Sequence, residues 1–448
     1  MPLSIEWVRQ RLLAAYDAKP TIDPILSIGD RIHSFRIVAG HGSVIPAFMT
    51  WLNCPLDRLQ DLRLEWLAGS KPDNFVRCRT PTLHGTSGFW ALRKLHLNGV
   101  GMLDWDWAAG VLNNLQSLHL KYAGLSYAIF ARLLQSSAKT LEYVHLEDAF
   151  SRRRAFDEED EEEPAPWEPL QAPEIRLARL RELCMRGDVY TPNDGPSMNI
   201  LVPLSYLSIP ETTQLLLTCR IITSEELLQS AGILPPSLFR SGPLLKITEL
   251  MVVLHGYGGF TFKGTVDPDL NYYTIEVGLH HSTSYPDLSS YPDLLSHPNA
   301  FADMFGQSPI HTLTVLYNPV TFALEMGHWM ELCGLEGLRC LRIAPLYQQP
   351  NFQDLEGMSH VFRVLAQGVG PKQDQRRVPR LQRVDLIYFD TGPQFLAFAR
   401  ACLKKRMEGR DCDPLSVWSD GIPVLGPDSE STPGDDDGDI YDTKPGPE

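Results

Sequence analysis

Long apolar runs are missing from this chain. No stretch of about 18 consecutive apolar residues occurs among its 448, so the sequence offers no helix to span a bilayer. Met1 to Arg11 lacks a charged segment followed by an apolar core, the pattern of a secretory signal. Paired cysteine motifs are missing too: the eight cysteines are scattered, with no Cys-x-x-Cys, and no Asn-x-Ser/Thr sequon occurs. Several, such as Cys184 and Cys340, stand where a buried apolar residue would serve. Free thiols in a reducing, cytoplasmic or nuclear compartment are therefore expected, with no disulfide, metal or cofactor.

Basic clusters are scarce. The net charge is −15, but it is concentrated. Seven consecutive acids run from Asp157 to Glu163, and eight acids against one lysine lie between Asp428 and Glu448. The rest of the chain is close to neutral, and nothing basic enough to track a phosphate backbone is visible, so neither nucleic acid nor membrane is an expected partner. Catalytic signatures are missing as well. There is no Gly-x-x-x-x-Gly-Lys-Ser/Thr, Gly-x-Ser-x-Gly or His-Glu-x-x-His, and no enzyme activity is expected.

What is present is a recurring hexamer, apolar-x-x-apolar-x-apolar. It occurs as Leu59-Leu62-Leu64, Leu92-Leu95-Leu97, Leu115-Leu118-Leu120, Leu141-Val144-Leu146, Leu180-Leu183-Met185 and Leu204-Leu207-Ile209. It returns as Ile247-Leu250-Val252, Leu270-Tyr273-Ile275, Ile310-Leu313-Val315, Leu338-Leu341-Ile343 and Leu381-Val384-Leu386, with a fainter first copy at Ile32-Phe35-Ile37. The last two apolar positions lie two residues apart and face the same side of a short strand. Intervening residues such as Arg93, Lys94, His96, Gln116, Ser117 and His119 are polar, as the exposed face of a parallel sheet requires. One unit cannot bury its apolar side alone, whereas stacked units can.

Between hexamers the apolar spacing predicts helices over Leu125–Leu134, Thr321–Cys333, Leu355–Ala366 and Gln394–Met407. Strand, loop and helix in alternation make an irregular α/β leucine-rich-repeat solenoid, with parallel strands on one face and helices on the other. Successive hexamers start 23 to 43 residues apart, the shorter gaps matching the usual repeat of about 20–29 residues. The expected organisation is an N-terminal capping segment over residues 1–30, with a helix from Ile5 to Tyr16. A repeat domain follows over 31–420, carrying an acidic disordered loop at 151–172, and then a disordered acidic tail over 421–448.

With these repeats the chain resembles the recognition region of basidiomycete F-box/leucine-rich-repeat proteins. The resemblance covers residues 1 to 420 and is carried by Met1-Pro2-Leu3-Ser4-Ile5-Glu6-Trp7, Arg31-Ile32-His33-Ser34-Phe35-Arg36-Ile37, Leu204-Ser205-Tyr206-Leu207-Ser208-Ile209-Pro210 and Pro414-Leu415-Ser416-Val417. It implies a non-catalytic protein-interaction domain, or a substrate receptor that enters a cullin-type ubiquitin ligase through a divergent F-box. No F-box, a three-helix module with a Leu-Pro opening, is recognisable here. A hydrolase on an α/β scaffold is the third class, and it lacks a visible nucleophile and base.

Site candidates divide on the same lines. Gly256-Tyr257-Gly258-Gly259 lacks the third glycine of a nucleotide loop and reads as a turn. His280-His281 reads as an exposed loop pair without metal-ligand partners, and Asp104-Trp105-Asp106-Trp107 as a helix start. The aromatic-rich insertion from Tyr257 to Tyr291 offers partner-binding anchors in Tyr257, Phe260, Tyr272, Tyr285 and Tyr291, since tyrosine gives large contact area at low entropic cost.

Overall fold

The chain is seen in a computed structural model. It describes residues 3–9, 31–40, 44–45, 56–67, 76–78, 91–102, 112–125, 127–150, 174–190, 198–199, 202–222, 243–254, 260–266, 275–281, 305, 307–317, 326–346, 355–366, 368–369, 375–376, 380–389, 391–408 and 412–426. The acidic stretch 151–172, Asp104–Trp107 and residues 427–448 lie outside them.

The protein is α/β, built on one large, open and mostly parallel sheet. Its strands are β1 (Leu3–Arg9), β2 (Ile32–Ala39), β3 (Asp61–Trp66), β4 (Lys94–Asn98), β5 (Ser117–Lys121), β6 (Tyr143–Glu147), β7 (Glu182–Tyr190) and β8 (Gln214–Ile222). After these come β9 (Glu249–Leu254), β10 (Phe260–Thr265), β11 (Ile275–His281), β12 (Thr312–Tyr317), β13 (Cys340–Pro345), β14 (Arg383–Leu386), β15 (Ser416–Ser419) and β16 (Ile422–Leu425). From β1 to β8 each strand pairs in parallel with the next in sequence. Then the order inverts: β8 pairs with β11, β11 runs antiparallel to β10 and β10 antiparallel to β9, before β9 hands on in parallel to β12. From β12 to β15 the parallel order resumes, and β16 closes the series as an antiparallel hairpin.

The hexamers explain why these residues make strands. Leu62 and Leu64, Leu95 and Leu97, Leu118 and Leu120, and their successors Leu341 and Ile343, are all buried, while the residues between them are half-buried or exposed. A tight turn precedes several strands: the N–H of Leu59, Leu115, Leu180 and Leu338 donates to the carbonyl three residues back. That carbonyl belongs to another buried leucine (Leu56, Leu112, Leu177 or Leu335), so the apolar pattern starts three residues earlier than the hexamer. The turns are tied sideways as well. The carbonyls of Gln60, Arg93, Gln116 and Glu142 each accept two successive N–H groups from the next unit. Thr140 and Thr213 add hydroxyl bonds to the carbonyls of Leu115 and Leu180, at 2.8 and 2.9 Å. These bonds satisfy turn backbone groups between one strand and the next.

Among the described residues four helices lie on the side of the buried leucines: α1 (Tyr127–Ser137), α2 (Met326–Leu332), α3 (Leu355–Ala366) and α4 (Pro393–Met407). Phe130 and Leu134 of α1, Trp329 of α2, Phe362 of α3 and Phe395 of α4 join the sheet's leucines in one continuous hydrophobic core. The helix α4 starts with Pro393, whose fixed φ suits a first helical turn, and ends in Lys404, Lys405 and Arg406.

Two expectations are corrected at the ends. Leu3–Arg9 is a strand, not the start of a helix over Ile5–Tyr16. Leu3 and Ile5 alternate with exposed Ser4 and Glu6, a period of two, and Ile5 packs on the core, so the segment adds a strand to the sheet edge instead of a capping helix. At the other end, ordered strand continues through Ile422–Leu425, past the expected boundary at 420. No helix among the described residues is long and apolar enough to cross a membrane.

Candidate functional site

With the leucines turned inward, the residues between them are left on the opposite face. Strand register then lines these residues up across the whole sheet. From the first edge the row reads Glu6, Arg36, Arg63, His96, His119, His145 and Cys184, each the direct partner of the next. It continues through Leu216, Glu276, Lys263, Met251, Thr314, Arg342, Asp385 and Trp418. At about 4.8 Å per strand the row measures some 65 Å in contour.

Most of its charges are answered by a neighbour. Arg36 reaches Glu6 at 2.6 Å and Glu65 at 3.2 Å. Lys121, two residues along from His119, pairs with Glu147. The His145 ring Nε2–H donates to the Glu182 carboxylate at 2.9 Å, and Lys263 pairs with Glu276 at 3.3 Å. At the far end the carboxylate of Asp385 is buried and held by Arg383 at 2.6 Å and Arg342 at 3.5 Å. The Arg383 guanidinium also lies 4.1 Å from the centre of the Trp418 ring. Such exposed cross-strand pairs add only about 0.2–1 kcal/mol each. Their consequence is that few charges on this face remain open.

The three histidines form the least ordinary part of the row. The His96 and His119 ring centres are 4.0 Å apart, and those of His119 and His145 are 5.5 Å apart, with tilted planes. Burial, the neighbouring His119 and the guanidinium of Arg63 lower the pKa of His96 to about 3. Burial and His145 lower that of His119 to about 4, against the opposing pull of Glu147. Both rings are neutral at neutral pH, each offering one N–H and one lone pair.

Cys184 adjoins His145 in register, and His145 is in turn bound to Glu182, an order of residues that suggests a nucleophile, base and orienter. The thiol does not fit that part. Burial pushes its pKa up, and its side-chain hydrogen bond goes to Arg186. Among the described residues no group of three or more His, Cys, Asp or Glu side chains converges on a metal position. Cys184, Cys333, Cys340, Cys402 and Cys412 carry free thiols. Cys184 and Cys340 occupy the outward face of their strands, not the inward leucine positions.

The aromatic residues expected as anchors are placed only in part. Tyr257, Tyr272, Tyr285 and Tyr291 lie outside the described residues. Phe260 opens β10, opposite Leu254 and Leu279, so it belongs to the sheet and not to an inserted loop. Phe262 in the same strand is buried against Phe305, ring centres 5.4 Å apart. His280 and His281, expected in a loop, fall inside β11 opposite Arg220 and Ile221. Part of the row, from Arg36 to Cys184, was readable in the sequence as the fifth residues of successive hexamers, while its middle needed the register. His96 and His119 are noticeable there as outward polar residues, but their adjacency to Arg63 and His145 depends on register.

No family model matches the chain, and no curated protein matches it.

Proposed function

We propose that the chain is a leucine-rich-repeat solenoid of non-catalytic function, which binds another protein through the outward face of its sheet. The observation that carries this reading is the row of fifteen outward side chains, one per strand, running from Glu6 to Trp418. A surface of this length suits a macromolecule, not a small substrate. Its composition mixes charged residues with buried Cys184 and half-buried Leu216 and Met251, and the one charged pair between these, Glu276 and Lys263, is mutually neutralised. The inverted order of β9 to β11 interrupts the simple stacking but keeps the face continuous, because β10 still places Lys263 in the row.

The test is site-specific photocrosslinking. A photoreactive residue at His119 or Thr314, on the row, should capture the same discrete protein, while one at exposed Gln135 on α1 should not. Capture from Gln135 and from neither row position would overturn the reading.

The substrate-receptor form of this function needs a three-helix adaptor module, and residues 3–9 and 32–39 are strands of the sheet. Residues 1–448 by themselves are therefore expected not to bind the cullin-ligase adaptor in a pull-down with purified components. Saturable binding lost on deleting residues 1–20 would establish the ligase function instead.

A further inference from the structure

Arg63 is one of three cations on this face, with Lys94 and Arg186, that form no ion pair with a described residue. Its row neighbour Arg36 holds two carboxylates, and Lys121 holds Glu147. Arg63 makes no ion pair with any described residue, and neither does exposed Lys94, diagonal to it on β4. The carboxylates nearby are committed elsewhere: Glu6 and Glu65 to Arg36, Glu147 to Lys121, Glu182 to His145. Only Asp61, level with Lys94 in register, remains beside them. Beyond Arg63 come two ring N–H donors, His96 and His119, on successive strands. A half-buried guanidinium next to uncharged donors is short of negative charge and short of acceptors at once.

We propose that the Arg63–His96–His119 stretch is the subsite at which this face receives an acidic, carboxylate-rich segment of its protein partner. The proposal rests on the sheet face being the binding surface. A carboxylate over Arg63 takes the paired N–H groups of the guanidinium, and the next along the segment accepts from an imidazole N–H. Lys94 adds attraction at the margin. The lowered basicity of both rings has a useful consequence. In the free protein they stay neutral and do not add to the repulsion around Arg63; an incoming carboxylate raises their proton affinity, so binding takes up protons. Affinity should accordingly rise as pH falls from 7 toward 5, above the range near 4 where the ligand's own carboxylates take up protons. Arg36, Asp61, Glu65, Lys94, Lys121, Glu147, Glu182 and the titratable His145 ring stacked beside His119 are the other charged or titratable groups facing this stretch, and the carboxylates among them set how far it rises.

The experiment uses the full chain and a fluorescein-labelled octaglutamate peptide, read by anisotropy at low and physiological salt. Saturable binding is expected, weakened by about 10-fold or more in Arg63→Gln and less in His96→Phe/His119→Phe. It should be unchanged in Arg400→Gln, an exposed position on α4 away from the sheet face. Wild-type-like thermal unfolding of Arg63→Gln, a surface change, keeps the comparison valid. No saturable binding, equal binding by Arg63→Gln, a preference for octalysine, or tighter binding of single-stranded RNA would each overturn the proposal. If crosslinking from His119 still captures a protein while octaglutamate fails, the subsite is wrong and the sheet-face reading stands. If row positions capture nothing, that reading fails first.

Discussion

Trp329→Ala is expected to cost about 3–5 kcal/mol of unfolding free energy, the range for removing a large buried aromatic. Trp329 is fully buried in α2. Its ring meets Tyr317 of β12 edge-on with centres 6.4 Å apart, and Tyr317 stacks in turn near Phe389 at 6.5 Å. Helix α2 also packs on α3, and α3 on α4. The indole is thus the plug between the helix layer and the later strands, with little freedom for the surroundings to collapse into the space it leaves. Its Nε1–H finds no acceptor among the described residues, so no hydrogen bond is lost on replacement. Trp329→Phe should therefore cost much less, about 1–2 kcal/mol. Urea unfolding followed by circular dichroism separates the two. A loss under about 1 kcal/mol for the alanine variant would show that α2 is not packed as described.

The fold was legible where burial alone decides structure. The inward leucines need a strand to share one side and a stacked neighbour to cover it, so hexamers from Ile32 to Leu381 become strands almost wherever they occur. The helix Leu355–Ala366 was readable to the residue, because its stripe of Met358, Val361, Phe362 and Leu365 is buried as a whole. Pattern fails where pairing is non-local. Leu204-Leu207-Ile209 has the right apolar spacing, yet Val202–Tyr206 forms a 3₁₀ turn and only Leu207–Ser208 is strand, paired with Ile175–Arg176 outside the main sheet. The main-sheet strand comes next, at Gln214–Ile222. Nothing in the residues 249–281 says that β11, not β9, adjoins β8; that choice lies in long-range contacts with no local signature. The polar face was half legible for a related reason. Outward residues are recognisable one strand at a time, but a row exists only once register is known.

Between pH 7 and pH 5 the protein should lose stability through His96 and His119, and His96→Gln/His119→Gln should lose less. Both folded-state pKa values, about 3 and about 4, lie below the ordinary 6.5 of an exposed imidazole. The native state therefore favours the neutral rings, and the unfolded chain binds protons that the native state refuses. That contribution is fully present above pH 6.5 and is lost as pH falls below it. It stops falling only near pH 4 and 3, where the native rings protonate too. Two unmatched protons give a slope of up to about 2.7 kcal/mol per pH unit. The rings are half-buried, so water screens much of this, and about 1–2 kcal/mol by pH 5 is the expected loss. Working above pH 5 keeps most carboxylates ionised in both states, which isolates the histidines. The measurement is urea unfolding of wild type and double variant at pH 7, 6 and 5, with diverging free energies expected. Parallel curves would show that the imidazole stack titrates as if fully solvated.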